Sequence, residues 1–273
     1  MLEEEVARLI EEVRNRYLGK YRGFVADNQD PESRARLRLR VPSLFADEVT
    51  AWALPCLPFG GLAGQGLFSV PDIGAQVWVE FEGGDRMNPV WTGTFWQQQG
   101  DAPADAAQPT PTTRIFKTGK EHVLLFEDAD NAEQVHLKHC AGAILDIDSQ
   151  GTITLTDPNG ATLTLDAANS KVMLQDANGN TLTLDNTGAK LEDANGNKIE
   201  MASSGVTVSG QQIVVNGSQV MLGGQGGEPI IKGQSFLTLF ATHIHTCAAP
   251  GAPTSPPIPQ GEMSSLSTKV MTS

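Results

Sequence analysis

The stretch Asp157-Pro-Asn-Gly-Ala-Thr-Leu-Thr-Leu-Asp166 joins a turn phrase to alternating residues, and the turn phrase recurs along the chain. Asp-x-Asn-Gly stands at 157–160, 176–179 and 193–196. Strict alternation of polar and apolar residues is typical of a half-buried strand, and Asn-Gly supplies the positive φ that a tight turn needs. These residues predict a repeated strand–turn–strand unit.

The repeat period is too short for a unit that contains a helix. The aspartates that open successive units are at 157, 166, 176, 185 and 193, so the steps are 9, 10, 9 and 8 residues. Such steps are close to the periods of β-helices. Each unit offers about two inward side chains, so one ribbon cannot bury its apolar face alone. The residues expected to face inward are Ile153, Leu155, Leu163, Leu165, Val172, Leu174, Leu182, Leu184, Leu191, Ile199, Met201, Val206, Val208, Ile213, Val215, Val220 and Leu222.

Three copies of the chain would solve this burial problem. Stacking within one chain needs longer coils with three faces, whereas three intertwined chains give each short strand two neighbours and close every sheet edge. The repeat therefore predicts an intertwined homotrimeric β-helix with threefold symmetry. A β-sandwich of repetitive hairpins is the alternative, although sandwich strands usually run longer and vary more in spacing.

The two halves of the chain differ in composition. All four tryptophans, at 52, 78, 91 and 96, lie in the N-terminal half, which predicts a compact globule before the repeats. The net charge of −13 argues against a nucleic-acid partner, which requires a dense Lys/Arg surface. No apolar run approaches the roughly 20 residues of a membrane span, and Met1 leads into Leu-Glu-Glu-Glu rather than a signal peptide. We expect synthesis and assembly in the cytoplasm.

The first 96 residues predict a helix followed by a barrel. Apolar residues recur at helical spacing within 1–19, which predicts an amphipathic helix: Leu2, Val6, Leu9, Ile10 and Val13. Its apolar side is interpreted as packing on the chain's own globule, with a partner protein as the alternative. Five strands are then predicted within 20–96, the strand count of an OB-fold barrel. They are Tyr21–Ala26, Arg34–Val41, Thr50–Leu57, Ala75–Phe81 and Val90–Phe95.

The remaining residues divide into four segments. Residues 97–113 have the composition of a linker, and 114–151 have longer alternating strands, which predict a broad base. The repeats assign 152–240 to a narrow shaft. In 241–273 a Pro-rich run cannot donate ladder hydrogen bonds, so this segment is expected to leave the shaft and form a pointed tip. The predicted fold class is all-β apart from the N-terminal helix.

The barrel and shaft resemble the central spike proteins of contractile phage tails and injection systems, the baseplate assembly protein V and valine-glycine repeat group. Lys120–Phe126 also resembles the β-prism base of that family, which assigns 114–151 to such a base. The other stretches that carry the resemblance are Gly23-Phe-Val-Ala-Asp-Asn-Gln-Asp-Pro31, Leu37–Pro42, Trp52–Pro55, Val70–Asp85 and Asn88-Pro-Val-Trp-Thr-Gly93.

This resemblance implies a mechanical function. A trimeric spike would place its barrels in the baseplate hub, next to tail tube proteins, and point its shaft at the target cell envelope. Some relatives carry a lysozyme domain between barrel and shaft, but 97–113 is far too short to hold an enzyme. The resemblance therefore favours a spike without enzymatic activity. A separate tip protein or effector at the apex stays open.

One candidate metal site lies near the C-terminal end, in Ala241-Thr-His-Ile-His-Thr-Cys247. On a strand, His243 and His245 would project to the same side, and three copies would supply six imidazoles for an octahedral transition-metal ion. Spikes of the resembled family with this pair imply one axial Fe ion per trimer, with Zn and Ni as alternatives that imidazole also suits.

The other cysteines and histidines are interpreted as structural. The widely spaced cysteines predict reduced, mostly buried thiols rather than a disulfide framework. They are Cys56, Cys140 and Cys247, and the remaining histidines are His122, His136 and His139.

Two other functions compete with the spike. A receptor- or polysaccharide-binding tail fibre would need aromatic platforms along the shaft, and there are none between Glu127 and Lys232. An envelope-degrading hydrolase would need acidic residues facing each other across a cleft, whereas the regular aspartates are expected at turns.

Overall fold

The computed structural model describes residues 2–106, 110–218 and 233–242. Strands predominate and helices are few, which confirms the predicted all-β class. Residues 1–208 form one unit, with a barrel and a long sheet, and residues 209–273 form a second unit. Among the described residues, no helix is long and apolar enough to cross a membrane.

The helices are α1 (Leu2–Arg14), α2 (Pro42–Phe45) and α3 (Gly233–Thr242). The barrel strands are β1 (Tyr21–Asp27), β2 (Arg38–Arg40), β3 (Leu54–Pro55), β4 (Gln76–Phe81) and β5 (Pro89–Thr94). The long sheet contains β6 (Thr113–Lys117), β7 (Val123–Glu127), β8 (Gln134–Lys138), β9 (Ile144–Ile147), β10 (Ile153–Thr156), β11 (Thr162–Asp166), β12 (Lys171–Gln175), β13 (Thr181–Asp185), β14 (Gly188–Glu192), β15 (Lys198–Ala202) and β16 (Gly205–Ser209).

A five-stranded sheet of order β2-β1-β4-β5-β3 curls into the OB-like barrel. Its two edges meet where Leu37 and Ala53 exchange backbone hydrogen bonds of 3.1 and 2.7 Å. Strands β2 and β3 are shorter than the predicted Arg34–Val41 and Thr50–Leu57. Ala35 explains part of this difference, because its φ of 59° interrupts the extended backbone before β2.

Alternation along the barrel strands builds a buried core. In β4, Val77 and Val79 are fully buried, while the residues between them are partly exposed. Trp91 is also buried, and its indole N–H donates to the Ala35 carbonyl at 3.0 Å. Full burial of a Val or Leu side chain stabilises a fold by about 1.5–3 kcal/mol. The other members of this core are Val25, Leu37, Leu39, Val41, Phe45, Ala53 and Phe81.

An ion pair fixes the loop between β1 and β2. The Asp30 side chain is 4% exposed, and one of its oxygens accepts hydrogen bonds from Arg36 Nη2 at 2.6 Å and Nε at 3.0 Å. Its other oxygen accepts the backbone N–H of Arg34 at 2.8 Å. The Arg36 guanidinium and these N–H donors hold the pKa of Asp30 well below its usual range. The Asp30 carboxylate therefore stays ionised at neutral pH and keeps its hydrogen bonds to the loop.

Helix α1 forms as predicted, but the interpretation that it packs on the chain's own globule is wrong. The apolar side chains of Val6, Leu9, Ile10 and Val13 are 47%, 54%, 53% and 62% exposed. At the barrel end that follows the helix, the Tyr17 ring packs against Phe45 and Phe81 at centroid distances of 5.2 and 5.5 Å. The Tyr17 ring, and not helix α1, therefore covers the Phe45 and Phe81 side chains at this end of the barrel.

Strands β6 to β16 form one 11-stranded antiparallel sheet in sequence order. Each strand from β7 to β15 thus has both of its neighbours within the same chain. The sequence analysis expected other chains to supply those neighbours. Tight turns explain the difference, because short connections favour pairing between consecutive antiparallel strands.

Aspartates lock the turns of this sheet. In the turn at 176–179, one oxygen of Asp176 accepts the backbone N–H groups of Asn178 and Asn180, both at 2.9 Å, and Gly179 has a φ of 90°. The turns after Asp157 and Asp193 repeat this pattern. All three Asp-x-Asn-Gly turns lie at the same end of the sheet, because two strands separate each from the next.

The predicted shaft, 152–240, is not β-structure throughout. The described residues 210–218 lack regular secondary structure, and α3 occupies 233–242. Within α3, the rings of Phe236 and Phe240 stack one helical turn apart at 5.9 Å, and Thr242 Oγ1 donates to the Thr238 carbonyl at 2.8 Å. The i,i+4 contact between the two phenylalanine rings favours a helix. The sequence analysis extended the alternating pattern too far.

Replacing Leu39 with alanine should destabilise the barrel by about 2–5 kcal/mol, because it leaves a cavity in a fully buried site. Denaturant unfolding followed by Trp fluorescence measures this change. Leu62→Ala is the matched control, since Leu62 is 71% exposed. Equal unfolding midpoints for the two variants would contradict the described core.

Acid should weaken the long sheet. The hydrogen bond from Asn180, with the backbone N–H donors of the turn, lowers the pKa of Asp176 from 3.8 to about 2. Similar bonds from Asn169, Thr187 and Asn197 lower the pKa values of Asp166, Asp185 and Asp193. A carboxyl with a lowered folded-state pKa stabilises the fold above its unfolded value and loses that contribution as pH falls through the folded value.

We therefore expect the melting temperature to fall between pH 3.8 and about 2, as circular dichroism can follow. Asp176→Asn should be less stable than the unmodified chain at neutral pH and should lose less stability across this range. An identical acid response in both proteins would disprove the role of Asp176.

Candidate functional site

One face of the long sheet is apolar from β7 to β15, and on β6 it carries Phe116 and Arg114. The cross-strand register aligns Leu163, Leu174, Leu182 and Leu191 in one column, with Leu155 and Ile199 beside them. A second column contains Ile153, Leu165, Val172, Leu184, Ala189 and Met201. The same face continues over the base through Phe116, Leu124, Phe126, Val135, Leu137, Leu145 and Ile147. We call these two columns the apolar face.

Within one chain, the apolar face is open to solvent. Leu174, Leu191 and Met201 are 50%, 52% and 50% exposed, whereas the barrel core is buried. The ten strands β6 to β15, spaced about 4.8 Å apart, give a stripe on the order of 45 Å long. Monomeric proteins rarely expose a contiguous apolar patch of this size, so the apolar face is a candidate interface.

The apolar face contains the residues predicted from sequence to face inward. Every member of that set from Ile153 to Met201 lies on it. Val206 and Val208 are exposed in β16, and Ile213 and Val215 are exposed beyond it. Val220 and Leu222 lie outside the described residues.

Over β10 to β15 the opposite face is mainly polar, with Met173 as an exception, and makes its own contacts. Lys190 and Lys198 form ion pairs of 2.6 and 2.7 Å with Glu192 and Glu200 on the same strands. Threonines such as Thr183 occupy neighbouring positions on this face. This contrast indicates that the face with the ion pairs and threonines contacts water, whereas the apolar face is the side suited to packing.

His136 belongs to the polar face. Its Nδ1 lies 2.6 Å from Asp146 Oδ1 on the neighbouring strand, and Gln134 Nε2 donates to the same oxygen at 2.8 Å. This cross-strand pair joins β8 to β9, in agreement with the structural role expected from sequence.

The predicted metal ligands His243 and His245 lie outside the described residues, as do Cys247 and the Pro-rich tip. Cys56 and Cys140 are free thiols, but both are exposed, so the expectation of mostly buried thiols is wrong for them. Cys56 follows β3 at the barrel surface, and Cys140 lies in the turn after β8.

The structure brings together two histidines that were interpreted from the sequence as structural. His122 precedes β7 and His139 follows β8, and their ring centroids are 4.6 Å apart. Cys140 lies beside them. The sequence feature that could have revealed this contact is the β7–β8 hairpin. Val123 pairs with Lys138, so the next pair in the same register is His122 and His139.

Residues 21–96 match the family model of the type VI secretion system/phage-baseplate injector OB domain. This range begins with β1 and contains all five barrel strands. A search of curated proteins finds no relative that matches the chain. The barrel match supports a role in the baseplate of a phage or of a type VI secretion system, as a component of the virion or injection system. The resemblance drawn from the sequence is thereby confirmed over residues 21–96: this part of the chain matches the type VI secretion system/phage-baseplate injector OB domain, which is consistent with a spike protein.

Proposed function

We propose that three copies of this chain form the central spike of a contractile tail or injection system. The spike punctures the target cell envelope when the sheath contracts. The observation that carries this proposal is the exposed apolar face on a chain with an injector OB domain.

The occupant of the apolar face is two further copies of the same chain. Hydrophobic burial needs a surface of matching length, and another copy offers the same apolar residues over the same strands, β6 to β15. Strands of four or five residues provide only about two inward side chains each. The apolar faces of three chains can close around one axis and leave each opposite face in contact with water. The spike resemblance favours three copies over two.

Stiffness follows from how the sheet is built. Its strands succeed one another through short turns, so backbone hydrogen bonds run along the length of the sheet. Aspartate side chains tie these turns, which opposes fraying at both strand ends. Such a shaft transmits force from the contracting sheath, and the proposal contains no catalytic step.

The spike resemblance assigns the partners in this proposal. The barrel would contact the baseplate hub and tail tube proteins, and the shaft would meet the target envelope. Assembly in the bacterial cytoplasm precedes incorporation into the particle, and a separate tip protein or effector at the apex is an optional addition. Nucleic acid is not among the proposed partners.

A transition-metal ion at His243 and His245 completes the proposed tip. The donor set suits such an ion, because two imidazoles per chain become six in a trimer and imidazole binds Fe, Ni and Zn. The ion would crosslink the three chains at this position.

Charges placed on the apolar face should prevent trimer formation. Leu174 and Leu182 lie directly opposite each other, so Leu174→Asp with Leu182→Asp would bring six carboxylates into the proposed apolar interior. We expect native mass spectrometry to show the unmodified protein at three times 29.1 kDa and this variant at 29.1 kDa.

The matched control is Met173→Asp with Thr183→Asp, a cross-strand pair on the polar face of the same two strands. This control should remain a trimer. A monomeric unmodified protein, or a Leu174/Leu182 variant as trimeric as the control, would refute the proposed interface.

Removing both tip histidines should remove one metal ion per trimer. His243→Ala with His245→Ala is expected to leave the trimer mass intact, because the apolar face is unchanged. Metal analysis by inductively coupled plasma mass spectrometry should find one Fe, or a Zn or Ni substitute, per three unmodified chains. An unchanged metal content at that ratio in the double variant would contradict the assigned ligands.

A further inference from the structure

The β7–β8 hairpin builds a cluster of metal-binding side chains at one end of the base. Val123 pairs with Lys138, so the same register places His122 opposite His139. Cys140 follows directly, and its Sγ lies 4.0 Å from His139 Nε2. One ligand atom from each of the three residues lies within 4.8 Å of the others.

Hydrogen bonds hold the backbone of both histidines in place. The His122 N–H donates to Thr118 Oγ1 at 3.1 Å, and the His122 carbonyl accepts the Thr118 N–H at 3.0 Å. The His139 N–H donates to Ala143 at 2.8 Å, and the His139 carbonyl accepts the Gly142 N–H at 2.9 Å. Two closed turns therefore present the cluster, which lowers the entropy lost when it binds an ion.

Two imidazoles and a thiolate are a donor set for late first-row transition metals. Zinc binds sulfur at about 2.3 Å and imidazole nitrogen at about 2.0–2.1 Å, usually in tetrahedral geometry. Those lengths separate the ligand atoms of a tetrahedral site by about 3.3–3.6 Å. The 4.0 Å between Cys140 Sγ and His139 Nε2 therefore needs to shorten only slightly.

The side chains have room to make this adjustment. His139 and Cys140 are exposed, and His122 is partly buried. Two ring contacts compete with a metal: the Cys140 N–H lies 3.4 Å from His122 Nδ1, which is long for a hydrogen bond, and the Ala141 N–H donates to His139 Nδ1 at 3.1 Å. Cys140 and Ala141 are exposed, so their backbone N–H groups can donate to water when a ring nitrogen binds a metal.

We propose that His122, His139 and Cys140 bind one transition-metal ion per chain, with Zn²⁺ as the preferred ion and water in the fourth position. The ion joins the ends of β7 and β8 and stabilises the base. All three ligands come from one chain, and the tip histidines supply none of them.

The test uses the full-length chain with His243→Ala and His245→Ala, so that the proposed tip site cannot contribute. Isothermal titration with Zn²⁺ should give one ion per chain. In this background, His122→Ala and Cys140→Ser should each weaken Zn²⁺ binding by more than the ~10–100-fold that loss of an outer-shell partner costs. Cys56→Ser is the control, because it removes another exposed thiol and should leave binding unchanged.

Co²⁺ provides a second readout. The unmodified cluster should show a thiolate-to-cobalt charge-transfer band that Cys140→Ser removes and Cys56→Ser retains. A stoichiometry far below one ion per chain, or equal affinities in the Cys140→Ser and Cys56→Ser variants, would overturn the proposal.

A measurement on the chain without substitutions covers the case in which a variant fails to fold. Zn²⁺ should protect Cys140 from alkylation by iodoacetamide, while Cys56 reacts at an unchanged rate, as peptide mass spectrometry can measure. Equal alkylation of Cys140 with and without Zn²⁺ would likewise overturn the site.

Discussion

The apolar face of the long sheet is the constraint on which the proposed assembly depends. Strand alternation places Leu174, Leu182 and their column neighbours on one side, and the antiparallel register aligns them across the strands. These side chains are exposed in the single chain, although the backbone ladders between them are satisfied. Strands β7 to β15 thus already have hydrogen-bonded neighbours on both sides. What the single chain lacks is a second apolar surface that packs against the exposed sheet face. Two further copies would supply such surfaces of equal length.

Turn chemistry preserves this constraint. A slip of one residue in any pairing would turn a whole strand's leucines toward water. Asp176 and its counterparts oppose such slips by binding the backbone N–H groups that define each turn. Gly188 adds a steric requirement in the β13–β14 turn: its φ is 145°, and a Cβ there would lie 1.8 Å from the Met201 carbonyl oxygen. Polar turns thus determine where the apolar side chains point.

The barrel and the long sheet reach stability in different ways. The barrel encloses its own core around Leu39 and Trp91, so it requires no second chain to exclude water. In the described strands β6 to β16, Val123 alone among the apolar residues is buried by its own chain. The injector OB domain is thus a self-contained module, whereas the proposed shaft needs assembly. The His122 cluster lies in the base, where a bound metal would reinforce a sheet with little core of its own.

The sequence by itself determined the strand–turn repeat, the residues of the apolar face and the OB barrel, because alternation and Asp-x-Asn-Gly turns are local signals. Only the tertiary structure decided which strands are neighbours, that α1 leaves its apolar side exposed, and that 233–242 form a helix. It also decided the pairing of His122 with His139. The turn of that hairpin lies between Glu127 and Gln134, and moving its centre by one residue would shift the pairing by two. Spatial proximity across a hairpin depends on this register, which a local pattern does not specify.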